Sequence, residues 1–208
     1  MKAEKIKTYI IQWLLEGGLG FDKKHDAIGL EVKFSQNRRL ADMLVISEVV
    51  HALEIKGERD NLTKLSSQIE DYQKTFELVS AIIAPKHLDE IRSVLPPRVG
   101  IVLFNNGALT VIRKAKAKKR LDKKSLLMFF SKYELSKMLK IKNLSNHSTD
   151  EVRSIAKDDL TLSQNRQAVS NKLHLKYKKL LVLLQQDIGS NILTDDLQTL
   201  YGQIEEIK

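Results

Sequence analysis

The chain of 208 residues contains no cysteine, which removes a disulfide scaffold, a thiolate zinc site and an iron–sulfur cluster from the possible chemistries. Long hydrophobic runs are also missing. The most apolar N-terminal stretch, YIIQWLL, is interrupted by Gln12 and is too short for a signal peptide or a membrane span. A cytoplasmic protein with no membrane partner is therefore expected. There is no Gly-rich phosphate loop and no Ser–His–Asp ordering. The histidines His25, His51, His87, His147 and His174 are scattered without the spacing of a zinc site. Proline occurs only at Pro85, Pro96 and Pro97, where it starts a helix and breaks the chain.

What is present is enough to bury a core. Apolar residues make up 42% and charged residues 29%, consistent with one domain plus an appendage, or two small ones. The net charge of +9 is unevenly spread. Arg113, Lys114, Lys116, Lys118, Lys119, Arg120, Lys123 and Lys124 are offset only by Asp122, so residues 113–124 carry +7 and the rest of the chain +2. A focused patch of this kind suits nucleic-acid phosphates, sequence-independently and with strong salt dependence. The alternative is a solvated linker held open by self-repulsion.

Apolar residues Ile6, Tyr9, Ile10, Trp13 and Leu14 recur at helical spacing over 3–16, and Gly17, Gly18 and Gly20 stop that helix. Strands are expected at 29–34, 40–46 and 49–56, the last two being nearly continuous apolar runs of the kind buried on both faces. SQNR turns the chain between the first two. A helix over 61–77, capped by Asp60 or Asn61, turns Leu62, Leu65, Ile69, Tyr72 and Phe76 inward. A strand at 78–84 and a short helix at 86–94 follow, then a hairpin on Asn105-Asn106-Gly107. From Leu121 the pattern is helical only, over 123–140, 148–157, 163–187 and 194–207, with Ser148 and Glu151 as a capping box. The expected division is 1–116 and 117–208, with the basic segment at the boundary.

Charged residues inside buried strands are costly unless paired, hydrogen-bonded or bound to a metal, which singles out Asp42, Glu54 and Lys56. Glu54 and Lys56 share a strand face. Asp42 joins them only if cross-strand partners sum to about 96, with Glu48 at the tip of a three-residue loop; a two-residue turn would sum to about 95 and part the acids. Phosphodiester cleavage builds negative charge that carboxylate-held magnesium or manganese can neutralise. Asp42 and Glu54, with the main-chain carbonyl of Ile55, are candidate metal ligands. Lys56 is a candidate to orient or deprotonate water or to stabilise the transition state. Gln68 and Tyr72 lie one helical turn apart, with Lys64 a turn earlier, and are candidate substrate contacts along with Lys118, Lys119 and Arg120. Tyr72 also falls in the apolar stripe, so a core role is equally open.

Asp42, Glu54-x-Lys56 and Gln68-x-x-x-Tyr72 together resemble the PD-(D/E)XK nuclease superfamily. The run from Glu54 through Asp60, Leu62, Leu65, Gln68 and Tyr72 is similar to a largely uncharacterised bacterial and phage branch of it, and SLLMFFSKYELSKML resembles that branch's leucine-rich helix. The resemblance implies a restriction-endonuclease-like αβββαβ core with a mixed central sheet, followed by an all-α region. It implies magnesium or manganese dependence, Asp42, Glu54 and Lys56 as the catalytic set, and Glu31 as a further ligand. Ala41 stands where the superfamily's proline would be. The expected function is a metal-dependent deoxyribonuclease. The alternative is a catalytically inert module that binds nucleic acid or protein, and the helical tail also suits protein docking.

Overall fold

The computed structural model describes residues 3–34 and 39–201. The expected SQNR turn and the end of the last helix fall outside them. Six strands form one sheet in chain order: β1 (Ala27–Phe34), β2 (Arg39–Ile46), β3 (Val50–Lys56), β4 (Leu78–Ile83), β5 (Gly100–Asn105) and β6 (Ala108–Arg113). The β1–β2 and β2–β3 pairs are antiparallel, β3–β4 and β4–β5 are parallel, and β6 returns antiparallel to β5. Parallel neighbours need a crossover. It is supplied by α2 (Leu65–Thr75) before β4 and α3 (Leu88–Val94) before β5. With α1 (Ala3–Leu15) leading, the order through β4 is αβββαβ within a mixed sheet.

The apolar runs behave as their composition demands. β3 is buried over six of its seven residues, ending at the half-buried Lys56. α1 buries Ile6, Ile10, Ile11 and Leu14 and ends at Gly17, whose φ of 98° lies in the left-handed region. The β5–β6 hairpin turns on Asn106 and Gly107 with φ of 48° and 89°, both positive as a type I′ turn requires.

Besides α3 and the last helix, which start two and three residues later than expected, two helices depart from expectation. α2 begins at Leu65, because Asp60 and Asn61 are used in the preceding turn rather than as caps. Gly57 N–H donates to Asp60 Oδ2 at 2.7 Å, and Thr63 Oγ1 donates to Asn61 Oδ1 at 2.6 Å. Lys64 holds the cap position without a side-chain cap bond. The helix expected over 123–140 is two, α4 (Lys123–Leu127) and α5 (Lys132–Leu139). Ser131 and Glu134 form a capping box that starts a new helix there.

α6 (Thr149–Asp159) starts on the Ser148–Glu151 box, and α7 (Leu162–Asp187) and α8 (Leu197–Tyr201) follow. α7 lies against β1. The Tyr177 ring fits over Gly29, where an added Cβ would come within 3.2 Å of ring carbons. Arg166 Nε donates to Glu77 at 2.8 Å and Ser170 Oγ to the Ser47 carbonyl at 3.0 Å. The change near residue 116 is thus from sheet to helices, and one hydrophobic core runs through both.

Candidate active site

The β2–β3 hairpin sets the geometry. Met43 faces Leu53, Leu44 faces Ala52, Val45 faces His51 and Ile46 faces Val50, so partners sum to 96. Glu48 sits in the middle of a three-residue loop closed by Ser47 N–H to the Val49 carbonyl at 3.1 Å. The next pair in that register is Asp42 with Glu54, on one face. There the ladder gives way to a side chain: Ile55 N–H donates to Asp42 Oδ2 at 2.7 Å. On the other side Leu30 faces Met43 and Val32 faces Ala41, which puts Glu31 opposite Asp42. Glu31, Asp42 and Glu54 therefore occupy one row across three strands.

α2 runs antiparallel over β3. Two strand residues span about 6.6 Å and one helical turn about 5.4 Å, so each residue of Gln68-x-x-x-Tyr72 meets one residue of Glu54-x-Lys56. Tyr72 donates its hydroxyl to Glu54 Oε2 at 2.7 Å, with the Leu40 carbonyl 3.2 Å away. Lys56 Nζ lies 2.7 Å from Glu54 Oε1 and donates to Gln68 Oε1 at 3.1 Å. Glu54 is 1% exposed. Its two oxygens are thus held by an ammonium and a phenol, which offset much of the cost of burying the charge.

The cluster still carries more negative than positive charge. Burial, and then the neighbouring Glu54 carboxylate, push the Asp42 pKa up to about 7, against the opposing pull of the Ile55 N–H and Lys56. Burial, followed by the Glu54 and Asp42 charges, raises the Tyr72 phenol well above its ordinary value. Tyr72 is accordingly a fixed donor. Its ring is buried edge-on against Phe34 and Phe76, with centroids 5.3 and 5.9 Å away, so it is not free to stack on a base. It belongs to the core and positions Glu54.

Glu31 is otherwise engaged. Its carboxylate pairs with the buried Lys7 Nζ, which also donates to the Tyr201 hydroxyl at 3.1 Å. Burial alone would lower the Lys7 pKa, but its bonds with Glu31 and Tyr201 prevail and raise it. The Glu31 backbone has φ of 47°, a left-handed conformation that costs on the order of 1 kcal/mol for a residue with a side chain. Among the described residues no group of three His, Cys, Asp or Glu side chains converges as metal ligands. Of the expected set, Asp42, Glu54 and Glu31 fall in that one row, with Glu31 paired to Lys7, and Ile55 gives its N–H to Asp42. Lys7 and Tyr201 escaped the sequence reading. A signal for Lys7 existed, since it falls in register with Ile11 and Leu14 on an apolar stripe.

The remaining candidates flank α2 at its two ends. Lys64 is exposed at the start of α2, one turn before Gln68. The basic segment is tied to the other end of that helix: Lys118 N–H donates to the Glu77 carbonyl and Asp122 N–H to the Lys74 carbonyl, each at 2.8 Å. Lys74 is two residues past the Tyr72 that bonds Glu54, and among the described residues Lys118, Lys119 and Arg120 make no side-chain hydrogen bond or ion pair with Asp42, Glu54 or Lys56. His51 is buried against Ser80 Oγ at 2.8 Å, and burial lowers its pKa to about 4.

Fold and site together define a mixed α/β-sheet protein with a buried cluster of two carboxylates and one lysine beneath the crossover helix α2. The chain belongs to the family described as bacteriophage P4 protein cII, which matches residues 1–201. It is similar to Protein cII of Enterobacteria phage P4, at 27% identity over 183 residues, covering 85% of this chain and 68% of that one. Among solved structures it is similar to the SPO1766 protein of unknown function from Silicibacter pomeroyi. That match has 14% identity and a TM-score of 0.38, covering 64% of this chain and 92% of the other. So slight a likeness defines neither fold nor function. No helix among the described residues is long and apolar enough to cross a membrane.

Proposed function

We propose that this protein is a cytoplasmic metal-dependent nuclease that hydrolyses phosphodiester bonds in DNA. The observation that carries the reading is the pairing of Asp42 with Glu54 on one sheet face, beside Lys56, Gln68 and Tyr72. Two carboxylates sharing one ammonium leave excess negative charge, and the pull of Asp42 on a proton up to about pH 7 expresses it. Hard oxygen donors of this kind fit magnesium or manganese, which needs few protein ligands. Asp42 and Glu54 would hold the ion, which when bound neutralises phosphate oxygens and lowers the pKa of water.

The chain's own groups do the rest. Tyr72 locks Glu54 by its hydroxyl, and Gln68 locks the Lys56 ammonium by its amide oxygen. Lys56 Nζ is thereby presented as a fixed positive charge where charge develops as water attacks phosphorus. A preorganised cation there favours the transition state over the ground state.

Cleavage of linear, circular and single-stranded DNA should require magnesium and be lost in Lys56→Ala. Cleavage that survives both chelator and mutation would refute the reading. A second reading, an inert module that binds nucleic acid or a protein, is favoured by the engagement of Glu31 with Lys7 instead of with the other two acids. DNA binding without turnover under every metal condition would select it.

A further inference from the structure

Away from the acid cluster, three cations converge on a cavity of about 420 Å³ between α4 and α6. Arg153 and Lys157 are one turn apart on α6 and share its face. Lys124 comes from α4. The floor is apolar, formed by Leu127 and Met128. Lys123 Nζ donates to the Lys157 carbonyl at 2.7 Å, docking the start of α4 on the end of α6 and bringing like charges together. Among the described residues the one acid in the lining is Asp150. It lies 3.6 Å from the Arg153 guanidinium, with its own side chain 95% exposed, so it neutralises little. Arg153 Nε is buried with no acceptor among the described residues. A buried N–H left unpaired costs about 1–3 kcal/mol, and in a native fold it calls for a partner.

We propose that this cavity binds a phosphate group of a nucleic-acid strand, held by Arg153, Lys157 and Lys124, with Ser154 as a further hydroxyl donor. A guanidinium fork flanked by ammonium groups matches the oxygens and charge of a phosphodiester. Lys123 and Lys124 are also the last residues of the +7 segment, so a strand seated here continues along the basic run. The contact is separate from the acid cluster and needs no cleavage.

The test is binding of labelled duplex DNA to the full chain in chelator, over about 50–200 mM salt, the range in which counterion release is read. Arg153→Gln/Lys157→Gln should weaken binding about tenfold or more and reduce the log–log salt slope by about 1. Arg153→Lys should keep the slope and lose affinity, because the charge remains and the fork does not. Lys137→Gln/Lys179→Gln, which removes two charges elsewhere, should leave affinity within about twofold. Inorganic phosphate at matched ionic strength should compete with DNA for the parent and not for the double variant. A folded double variant with parental affinity and slope overturns the proposal, as does an equal loss in the control. Phosphate protection against melting without any change in DNA affinity would assign the cavity to a free anion and also overturn it. Loss of cleavage with binding intact would bear on the nuclease reading alone.

Discussion

Replacing Asp42 by Asn should make the metal-free protein more stable at pH 8 and remove most of a pH dependence that the parent shows. The folded protein holds a proton on Asp42 up to about pH 7, whereas the ordinary value is 3.8. Between those two pH values the folded state binds more protons than the unfolded chain, so stability falls as pH rises through the window. At about 1.4 kcal/mol per pH unit the full difference is about 4 kcal/mol. Asp42 is half-buried, and solvent screening reduces the expected effect to about 2 kcal/mol. Asparagine keeps the shape and an oxygen for the Ile55 N–H while removing the charge that Glu54 opposes. For a chain of this size ~2 kcal/mol corresponds to roughly 4–8 °C in Tm. The assay is urea unfolding in chelator at pH 5 and pH 8. The parent should lose about 1 kcal/mol between them and the variant little, with the variant the more stable at pH 8 by about 2 kcal/mol. Magnesium should then raise the parent's stability and not the variant's. A variant less stable than the parent at pH 8, or one with an unchanged pH dependence, would refute the reasoning.

Tyr72→Phe removes the hydroxyl that Glu54 accepts at 2.7 Å while keeping the buried ring. It should cost about 1.5–3 kcal/mol by chemical denaturation, the range for a bond to a charged group, and a cost below about 0.5 kcal/mol would show that Glu54 does not need it. Gly29→Ala places a methyl 2.8 Å from Val32 Cγ2 and 3.2 Å from the Tyr177 ring. A loss of about 1–3 kcal/mol is expected, and calorimetry finding none would mean that α7 shifts freely on β1. Asn165 is fully buried in α7, and among the described residues neither amide atom has a partner. Asn165→Leu should therefore raise stability by about 1 kcal/mol, and a fall of similar size in thermal unfolding would show that the amide is satisfied.

Much of the site was legible because its parts are close in the chain. Asp42, Glu54 and Lys56 stand on two strands joined by three residues, and that loop length gives the register that puts both acids on one face, where a two-residue turn would have parted them. Gln68 and Tyr72 lie on the helix that follows directly, and the crossover from β3 to β4 lays it on the same face. The fate of Tyr72 was open in the sequence because an apolar stripe and a hydroxyl donor use the same position. The pairing of Glu31 with Lys7 was not legible, for a different reason. Its partner Lys7 lies 24 residues away, and Tyr201 comes from the last described helix. Nothing periodic links such residues. The basic segment's charge was plain, but its anchoring runs through main-chain bonds to Lys74 and Glu77, which side-chain pattern does not encode.

The sequence by itself determined the strands and most of the helices, through apolar period, Asn-Gly and Gly turns and Ser–Glu caps, and narrowed the placing of Asp42 and Glu54 to two registers, of which the structure has the one that pairs them. These are local matters, set by backbone sterics and by which face is apolar. Only the tertiary structure decided which charges meet across long separations. It gave Glu31 to Lys7, set the basic run at the far end of α2, and gathered Lys124, Arg153 and Lys157 around one cavity. An exposed or half-buried charge adds little to the burial that drives folding, so its partner is chosen by where the packed elements happen to place it.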